Sequence, residues 1–251
     1  LMRSSAASDV YKRQRFFSFN REEIPETVWG TIEYDYLDDK AIKELHFNER
    51  DMENYINNYD FLIAKGISIN SLGASSVYEH YKNASELHIE DVDILLEIIK
   101  EKYPYLSESA EEYFQGKVFF PCNMFIMKKE VFHTYSAILF DLLDEFEKRA
   151  DMSEYSREGY RTTGHLGERI TGIYYLYLQK QKKYRLGELQ IALIHNAEAE
   201  PEIKIDTAKQ VVPVVLAANQ KYVPILYTCA QSIVEHTSEN TNYEIYIFLS
   251  L

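Results

Sequence analysis

The stretch that decides the fold class runs from Asn123 to Leu178 and reads "NMFIMKKEVFHTYSAILFDLLDEFEKRADMSEYSREGYRTTGHLGERITGIYYLYL". Its first residues continue the β-rich segment "KVFFPCNMFIMKK", in which Pro121 predicts a bulge or an edge position. "EVFHTYSAILFDLLDEFEKR" has apolar residues at helical spacing, and Lys148 and Arg149 suit the dipole of its last turn. "GHLGERITGIYYLYLQKQ" predicts a second helix. Strand-forming segments that alternate with long helices indicate an α/β fold.

The segments on either side continue this alternation. "YDFLIAKG" (59–66) predicts a short strand that a glycine closes, and "IEDVDILLEIIKEKYP" predicts a helix that Pro104 ends. "ELQIALIHN" (188–196) predicts one buried strand. The polar, uneven segment 197–210 predicts an interdomain linker. We therefore expect one domain over residues 15–196.

A second domain is predicted to begin at residue 211. Residues 212–217 favour a strand, residues 223–236 a helix, and "YEIYIFLSL" (243–251) a second strand, which together fit one right-handed βαβ crossover. The chain stops at Leu251, so we interpret 211–251 as the truncated start of a nucleotide-binding α/β domain. The polar residues after the first strand, Asn219 and Tyr222, lie where open α/β sheets bind ligands.

Residues 1–14, "LMRSSAASDVYKRQ", have no hydrophobic period and resemble the peptide obtained when sequencing-adapter DNA is translated. We interpret them as an artefact that packs against nothing and exclude them from the fold. A genuine flexible tail is the alternative. On the artefact interpretation the chain is an internal fragment, and both of its ends are arbitrary.

Charge and composition exclude several classes of protein. The net charge is −13, and removing residues 1–14, which carry a net charge of +2, leaves about −15. A nucleic-acid-binding protein needs a basic face, and a chain this acidic adheres poorly to anionic membranes. No apolar run is long enough to cross a bilayer. Two cysteines that are far apart, Cys122 and Cys229, fit a reducing cytoplasm without disulfides or a zinc site.

The larger predicted domain resembles the bacterial family called domain of unknown function 4422. The matching pieces are Asn123 to Met127, the pattern Asp151-x-Ser153-x-Tyr155, the pattern Arg161-x-x-Gly164, and the pair Glu168-Arg169. The resemblance covers residues 15–195, and in it Arg15 would be the last arginine of the family's His-Tyr-Arg-Arg segment. It implies a glycosyltransferase-like protein of capsular or exopolysaccharide biosynthesis, with an incomplete GT-A-like fold (the nucleotide-diphospho-sugar transferase fold). The family's N-terminal half is absent.

The C-terminal segment resembles the opening of glycosyltransferase family 8. Members have a strand, an Ala-Ala-(Asp/Asn)-x-x-Tyr turn and a helix with a Ser-Ile pair, here Ser232 and Ile233. The resemblance implies that Asn219, Tyr222 and the backbone at Ala217 contact the nucleoside of a nucleotide sugar. From the pattern alone, Asn219 also suits a turn and Tyr222 packing. The family's metal-binding Asp-x-Asp lies beyond residue 251, so manganese or magnesium is expected only in the complete second domain.

Within the first domain, the resemblance to a sugar transferase suggests five site residues. Arg15, Lys65 and Arg169 would neutralise phosphate charge. Asn123 would hold sugar hydroxyls, and Glu168 would act as the catalytic base or hold a substrate hydroxyl. Each has a structural alternative. Lys65 also suits a solvated strand end, Glu168 and Arg169 a local charge pair, and Asn123 the satisfaction of a bulge.

We expect no metal site and no cofactor in this chain. Asp91-Val92-Asp93 has the Asp-x-Asp form, but it opens a predicted helix, where acidic residues cap N–H groups and offset the dipole. His80 and His88 are eight residues apart and have no neighbouring cysteine, so their spacing does not indicate a zinc site.

The function predicted from the sequence is transfer of a sugar from a nucleotide-sugar donor to a growing surface polysaccharide. The acceptor would be a glycan or a lipid-linked glycan. We expect the enzyme to work in the cytoplasm or at the inner face of the membrane. One alternative is a non-catalytic carbohydrate-binding or scaffolding domain attached to a transferase. Another is a nucleotide-binding regulator, which depends on the terminal βαβ unit alone.

Overall fold

The structure is a computed structural model that describes residues 14–156, 158–196, 209–219, 223–236 and 241–250. The chain divides into two compact units, Leu1–Ala199 and Glu200–Leu251. The predicted linker lies mostly outside the described residues, and so do residues 1–13 of the excluded segment. Gln14, the last residue of that segment, is described and begins the first strand.

The first unit mixes short strands with helices of very different lengths. Its strands are β1 (Gln14–Phe17), β2 (Thr31–Tyr36), β3 (Phe61–Ala64), β4 (Ile67–Ser68), β5 (Val118–Phe119), β6 (Phe125–Met127), β7 (Leu186–Leu189) and β8 (Ile191–Asn196). Its helices are α1 (Asp39–Glu44), α2 (Glu49–Ile56), α3 (Val77–Lys82), α4 (Ile89–Lys102), α5 (Ser107–Gln115), α6 (Lys129–Arg149) and α7 (Thr162–Gln181). The mixed α/β class predicted from the sequence is confirmed.

The strands of this unit form three small sheets, with orders β1-β8-β2, β6-β3-β7 and β4-β5. In the first sheet, β8 pairs antiparallel with β1 and parallel with β2. In the second sheet, β3 pairs antiparallel with β6 and parallel with β7. All four residues of β3 are buried, as expected for a central strand covered on both faces.

The main core lies where α4, α5, α6 and α7 pack together. Helix α4 contributes Val92, Leu95, Ile98 and Ile99, and α6 contributes Tyr135, Leu142 and Phe146, all of which are buried. These positions follow the helical period read from the sequence. The helices predicted to begin at Ile89 and at Glu130 are therefore confirmed. The first ends at Lys102, before Pro104, and the second begins one residue early, at Lys129.

The predicted single strand over 188–196 is wrong in one respect. The structure has two strands there, which belong to different sheets and meet at Gln190. The backbone carbonyl of Gln190 accepts a hydrogen bond from Ser18 N, and its side chain bonds to both backbone groups of Ile24. These contacts fix Gln190 at the point where the chain passes from one sheet to the other. An apolar run cannot reveal such a change of sheet.

In the second unit, β9 (Gln210–Asn219) and β10 (Thr241–Ser250) form a parallel pair, and α8 (Val223–Glu235) lies between them in sequence. The register runs from Gln210 opposite Thr241 to Asn219 opposite Ser250. The carboxyl ends of both strands therefore meet at one edge of the pair.

Candidate functional site

The structure brings four of the predicted site residues of the first unit together. Glu168 and Arg169 lie in the second turn of α7, Asn123 lies in the loop between β5 and β6, and Arg15 lies in β1. Hydrogen bonds join Asn123 to α7, and the charges of Arg15 and Arg169 both act on Glu168. Three segments distant in sequence, β1, the β5–β6 loop and α7, thus converge around Glu168.

Glu168 lies at the centre of this site and is partly accessible. Its side chain is 23% exposed, and its Oε2 accepts a hydrogen bond from Nη1 of Arg169 at 2.9 Å. Burial raises the pKa of Glu168, because a low-dielectric surrounding disfavours the charged form. The charges of Arg169 and Arg15 and the backbone N–H of Cys122 oppose this rise. A carboxylate with a raised pKa and some access to solvent is suited to proton transfer.

The loop that faces Glu168 has an unusual backbone. Cys122 has φ of 63°, in the left-handed region that non-glycine residues adopt only at a cost. This conformation turns the chain between β5 and β6 and brings the N–H of Cys122 to the Glu168 carboxylate. Backbone strain of this kind is concentrated at functional sites. The sequence shows Pro121 as a break in the β segment, but it does not show the left-handed residue that follows.

Arg169 is held rigidly and is only 3% exposed. Its guanidinium carbon lies 4.7 Å from the ring centre of Phe119 and 5.2 Å from that of Tyr81, within the range of cation–π attraction. Nη1 also donates to the carbonyl of His165 at 3.1 Å. A buried guanidinium needs a charged partner, and Glu168 supplies it. The predicted pairing of Glu168 with Arg169 is therefore present in the structure.

Two buried nitrogens near this pair lack a hydrogen-bond partner among the described residues. They are Nε of Arg169 and Nδ1 of His80. Burial, and then the charge of Arg169, lower the pKa of both His80 and His165. Both effects favour the neutral imidazole, which can donate one hydrogen bond and accept another. Sequence reasoning assigned neither histidine to this site. His80 comes from α3, far away in the chain, whereas His165 precedes Glu168 and Arg169 by one turn of α7, a spacing that could have indicated it.

Asn123 connects the β5–β6 loop to α7. Its Nδ2 donates to the carbonyl of Gly164 at 3.2 Å, and its Oδ1 accepts from the hydroxyl of Thr171 at 3.4 Å. The side chain nevertheless belongs to an exposed residue. An amide has two donor hydrogens and an acceptor oxygen with two lone pairs, so Asn123 keeps capacity for a ligand. Both predicted roles, support of the loop and binding of hydroxyls, fit this geometry.

Lys65 is placed differently from the other predicted phosphate ligands. Its Nζ lies 3.0 Å from Glu23 and 3.6 Å from Glu26. Burial lowers its pKa, but these two carboxylates outweigh burial, and the net pKa is raised. A lysine already paired with two carboxylates is poorly placed to neutralise a phosphate. The strand-end alternative describes Lys65 better, with ion pairs to the β1–β2 loop in place of solvent alone.

Asp91, in the Asp-x-Asp sequence, is a buried structural residue. The first turn of α4 contains it, as predicted, but its carboxylate does not cap the helix. It accepts hydrogen bonds from the hydroxyls of Tyr155 and Thr162, both at 2.5 Å, and it is 0% exposed. Thr162 is also hydrogen-bonded to Tyr81, whose ring faces Arg169. Asp91 therefore fixes the start of α7, the helix that carries Glu168 and Arg169.

In the second unit, Ala217 and Asn219 lie in β9, and Asn219 is its last residue. Their partners in β10 are Phe248 and Ser250. Asn219 is thus at the edge where the carboxyl ends of the two parallel strands meet, which is the ligand-binding edge of α/β sheets. The third predicted nucleoside contact, Tyr222, lies outside the described residues.

Two kinds of feature are absent from the described part of the chain. Within it, no three His, Cys, Asp or Glu side chains are grouped so that they could hold a metal ion. No helix in the same part is both long and apolar enough to cross a membrane.

Comparison with known proteins gives two matches. The sequence model of the family described as domain of unknown function (DUF4422) matches residues 4–182. This range includes most of the segment 1–14 that was predicted to be an artefact. A solved structure described as WbbM, a bifunctional glycosyltransferase in its apo form, is similar with a TM-score of 0.69 and 27% identity over 96% of this chain. The chain spans 42% of the length of that protein. No curated protein matches it.

Proposed function

We propose that this chain, which belongs to the DUF4422 family, forms part of a glycosyltransferase that moves a sugar from a nucleotide-sugar donor to a hydroxyl of a growing surface polysaccharide. Its similarity to a structure described as a bifunctional glycosyltransferase supports sugar transfer in general. The donor, the acceptor and the polysaccharide are the finer part of the proposal. They come from the sequence resemblance and from the chemistry of the site.

The observation that carries this proposal is the environment of Glu168. A partly accessible carboxylate with a raised pKa is held between a buried guanidinium and the strained loop at Cys122. In the proposed step, Glu168 takes the proton of an acceptor hydroxyl. The acceptor oxygen then forms a bond to the anomeric carbon of the donor, and the bond from that carbon to the diphosphate breaks. The nucleoside diphosphate leaves with the electron pair of that bond.

Arg15 would assist the leaving group in this scheme. It is an exposed residue of β1, and its charge reaches Glu168. A guanidinium at the mouth of the site can bind the donor diphosphate in a bidentate manner. Arg169 is buried and already paired, so we assign it the positioning of Glu168 and not contact with phosphate. Asn123 remains the proposed ligand for a sugar hydroxyl.

For the second unit, we propose the start of a family 8 glycosyltransferase domain. The backbone at Ala217, together with Asn219 and Tyr222, would bind the nucleoside of a second nucleotide sugar. Manganese or magnesium would be bound by the complete domain. Because nucleotide sugars are cytoplasmic metabolites, both reactions would take place in the cytoplasm or at the inner face of the membrane.

The experiment that tests the proposal replaces Glu168 by Gln in the enzyme. Removal of a general base typically lowers turnover by about 10²-fold or more. The fold should persist, because the amide oxygen of Gln can still accept the hydrogen bond from Arg169. Turnover is measured as release of nucleoside diphosphate from a panel of nucleotide sugars, and folding is measured as the thermal midpoint.

The matched control is Glu112→Gln, which changes an exposed glutamate of α5 whose side chain is 58% exposed. Turnover of this variant should equal that of the unmodified enzyme. If Glu168→Gln lowers the thermal midpoint while turnover stays near normal, Glu168 is only a structural partner of Arg169. If the unmodified protein binds no nucleotide sugar, the carbohydrate-binding alternative is favoured.

A further inference from the structure

A second polar cavity lies away from Glu168, between the segment that follows β1 and the helix α2. Its volume is about 420 Å³, within the range of small-molecule sites. Tyr55 supplies its accessible aromatic surface, and Phe19, which is only 3% exposed, packs against Tyr55. Their rings meet edge to face at 6.0 Å, and Tyr55 also stacks on Tyr59 at 5.4 Å. The ring of Tyr55 is therefore fixed from two sides, as a stacking platform requires.

The walls of this cleft carry groups that match sugar hydroxyls. Asn54 and Arg21 line it, and both are exposed residues. Arg21 has no ion pair or side-chain hydrogen bond to any residue that the structure describes. An amide and a guanidinium together offer several donors and an acceptor. A ligand with many hydroxyl groups could satisfy both.

His46 lies at the same cleft in an unusual conformation. It has φ of 52°, and it follows the end of α1, where glycine is the common residue. Its Nδ1 is 3.4 Å from Oδ2 of Asp51, which also lines the cleft. A glycine would occupy this backbone position at lower cost. The imidazole is thus held at the cleft by a left-handed backbone and by Asp51.

The charges around the cleft argue against an anionic ligand. Two carboxylates, Glu22 and Asp51, line it together with a single arginine, Arg21. A nucleoside diphosphate would meet net negative charge there and would be repelled. An uncharged ligand meets no such barrier. The combination of an aromatic platform, hydroxyl-matching groups and low charge selects a neutral sugar.

We infer that this cleft binds the acceptor glycan through its uncharged sugar units. This inference rests on the proposed function, and it adds a glycan site separate from the catalytic carboxylate. Phe19 and Tyr55 belong to the same apolar cluster as Cys122, whose backbone faces Glu168. The cleft and the loop that faces the carboxylate therefore share one packed cluster of the first unit.

The test measures binding of lactose, mannobiose and maltotriose to the full chain by saturation-transfer NMR of the sugars. At least one of these probes should receive saturation. Tyr55→Ala should weaken its binding about tenfold, because loss of one aromatic contact is worth roughly that factor. His46→Gly should weaken binding as well, and it should fold at least as well as the parent because glycine suits that backbone position. A thermal midpoint no lower than that of the parent establishes that the His46→Gly loss is not unfolding.

Trp29→Ala is the matched control, since Trp29 is another exposed aromatic residue, 62% exposed, outside the cleft. Its binding should equal that of the parent. The inference is overturned if no probe receives saturation, or if Trp29→Ala abolishes the signal while Tyr55→Ala and His46→Gly retain it. Glu168→Gln separates the two proposals. Glycan binding that survives this change supports a distinct cleft whatever the turnover, whereas loss of turnover alone concerns only the catalytic proposal.

Discussion

At the scale of single residues, the chemistry of this protein depends on how Glu168 is surrounded. Burial favours its protonated form, whereas Arg169, Arg15 and the N–H of Cys122 favour its ionised form. Burial is the largest of these effects, so the net pKa is raised. The carboxylate is therefore a stronger base than an ordinary surface glutamate.

This balance predicts the acid limb of the pH–rate profile. Glu168 must be ionised to accept a proton, so kcat/KM should fall as pH drops through a pKa above the usual value of about 4.3. Arg15→Gln removes a positive charge that lowers this pKa. The acid limb of this variant should therefore move to higher pH. A limb that stays in place or moves to lower pH would contradict the electrostatic role of Arg15.

At the scale of elements, helix α7 positions the site, and its glycines have unequal roles. A Cβ on Gly172 would lie 2.5 Å from the ring of Tyr113, whereas one on Gly164 would meet nothing within 4 Å. Tyr113 is buried, so its ring has little room to move. Gly172 thus permits α5 and α7 to pack closely against each other.

The two glycines form a matched pair for a stability test. Gly172→Ala should lower the free energy of unfolding by about 1–3 kcal/mol, the usual cost of overpacking. Gly164→Ala should raise it by up to about 1 kcal/mol, because alanine is the better helix former. Urea denaturation of both variants measures the difference. Equal effects would mean that α5 and α7 are not in close contact.

A second element-scale feature is the connection of the β6-β3-β7 sheet through Asp60. Its backbone N–H donates to the carbonyl of Arg185 and its carbonyl accepts from Lys128 N. Its carboxylate also accepts from the backbone and side chain of Arg185 and pairs with Nζ of Lys128 at 2.6 Å. Asp60 thus joins the starts of β3 and β7 to the end of β6. The bonds to Arg185, followed by those to Lys128, hold the pKa of Asp60 well below its usual range.

Asp60→Asn should therefore lower stability by about 1–3 kcal/mol near neutral pH, the usual range for hydrogen bonds to a charged group. Because the folded-state pKa is lowered, this stabilisation is present above the unfolded pKa of about 3.9 and is lost as pH falls below it. The difference between parent and variant should shrink on acidification. Urea denaturation at several pH values checks this, and a difference independent of pH would assign the effect to geometry alone.

At the scale of the whole molecule, the second unit presents apolar side chains to solvent. Val215 is 64% exposed and Ile225 is 59% exposed. Parallel strands are normally covered on both faces, and an exposed apolar strand favours self-association. The first unit, by contrast, has a large core formed by four helices and a central buried strand.

We therefore predict that truncation after residue 205 improves solubility, because it removes β9, α8 and β10. The truncated protein should keep the circular dichroism of a folded α/β protein. Sedimentation of both proteins at equal concentration compares their self-association. If the longer protein is monomeric and the shorter one aggregates, the second unit stabilises the first, and the prediction is wrong.

The sequence by itself determined the long helices, the buried strand β3 and the βαβ order of residues 210–250. These elements follow from local periodicity and from helix ends such as Pro104, which neighbouring residues determine. The sequence also indicated Glu168, Arg169, Asn123 and Arg15, through a family resemblance.

Only the tertiary structure decided the rest, because it depends on residues far apart in the chain. The segment 188–196, predicted as one strand, is divided between two sheets at Gln190. Lys65 forms ion pairs with Glu23 and Glu26 of the β1–β2 loop. Asp91 is buried and accepts hydrogen bonds from Tyr155 and Thr162, whereas its position in the sequence predicted a helix cap. The pKa of Glu168 likewise depends on burial and charge supplied by other segments, which no local pattern contains.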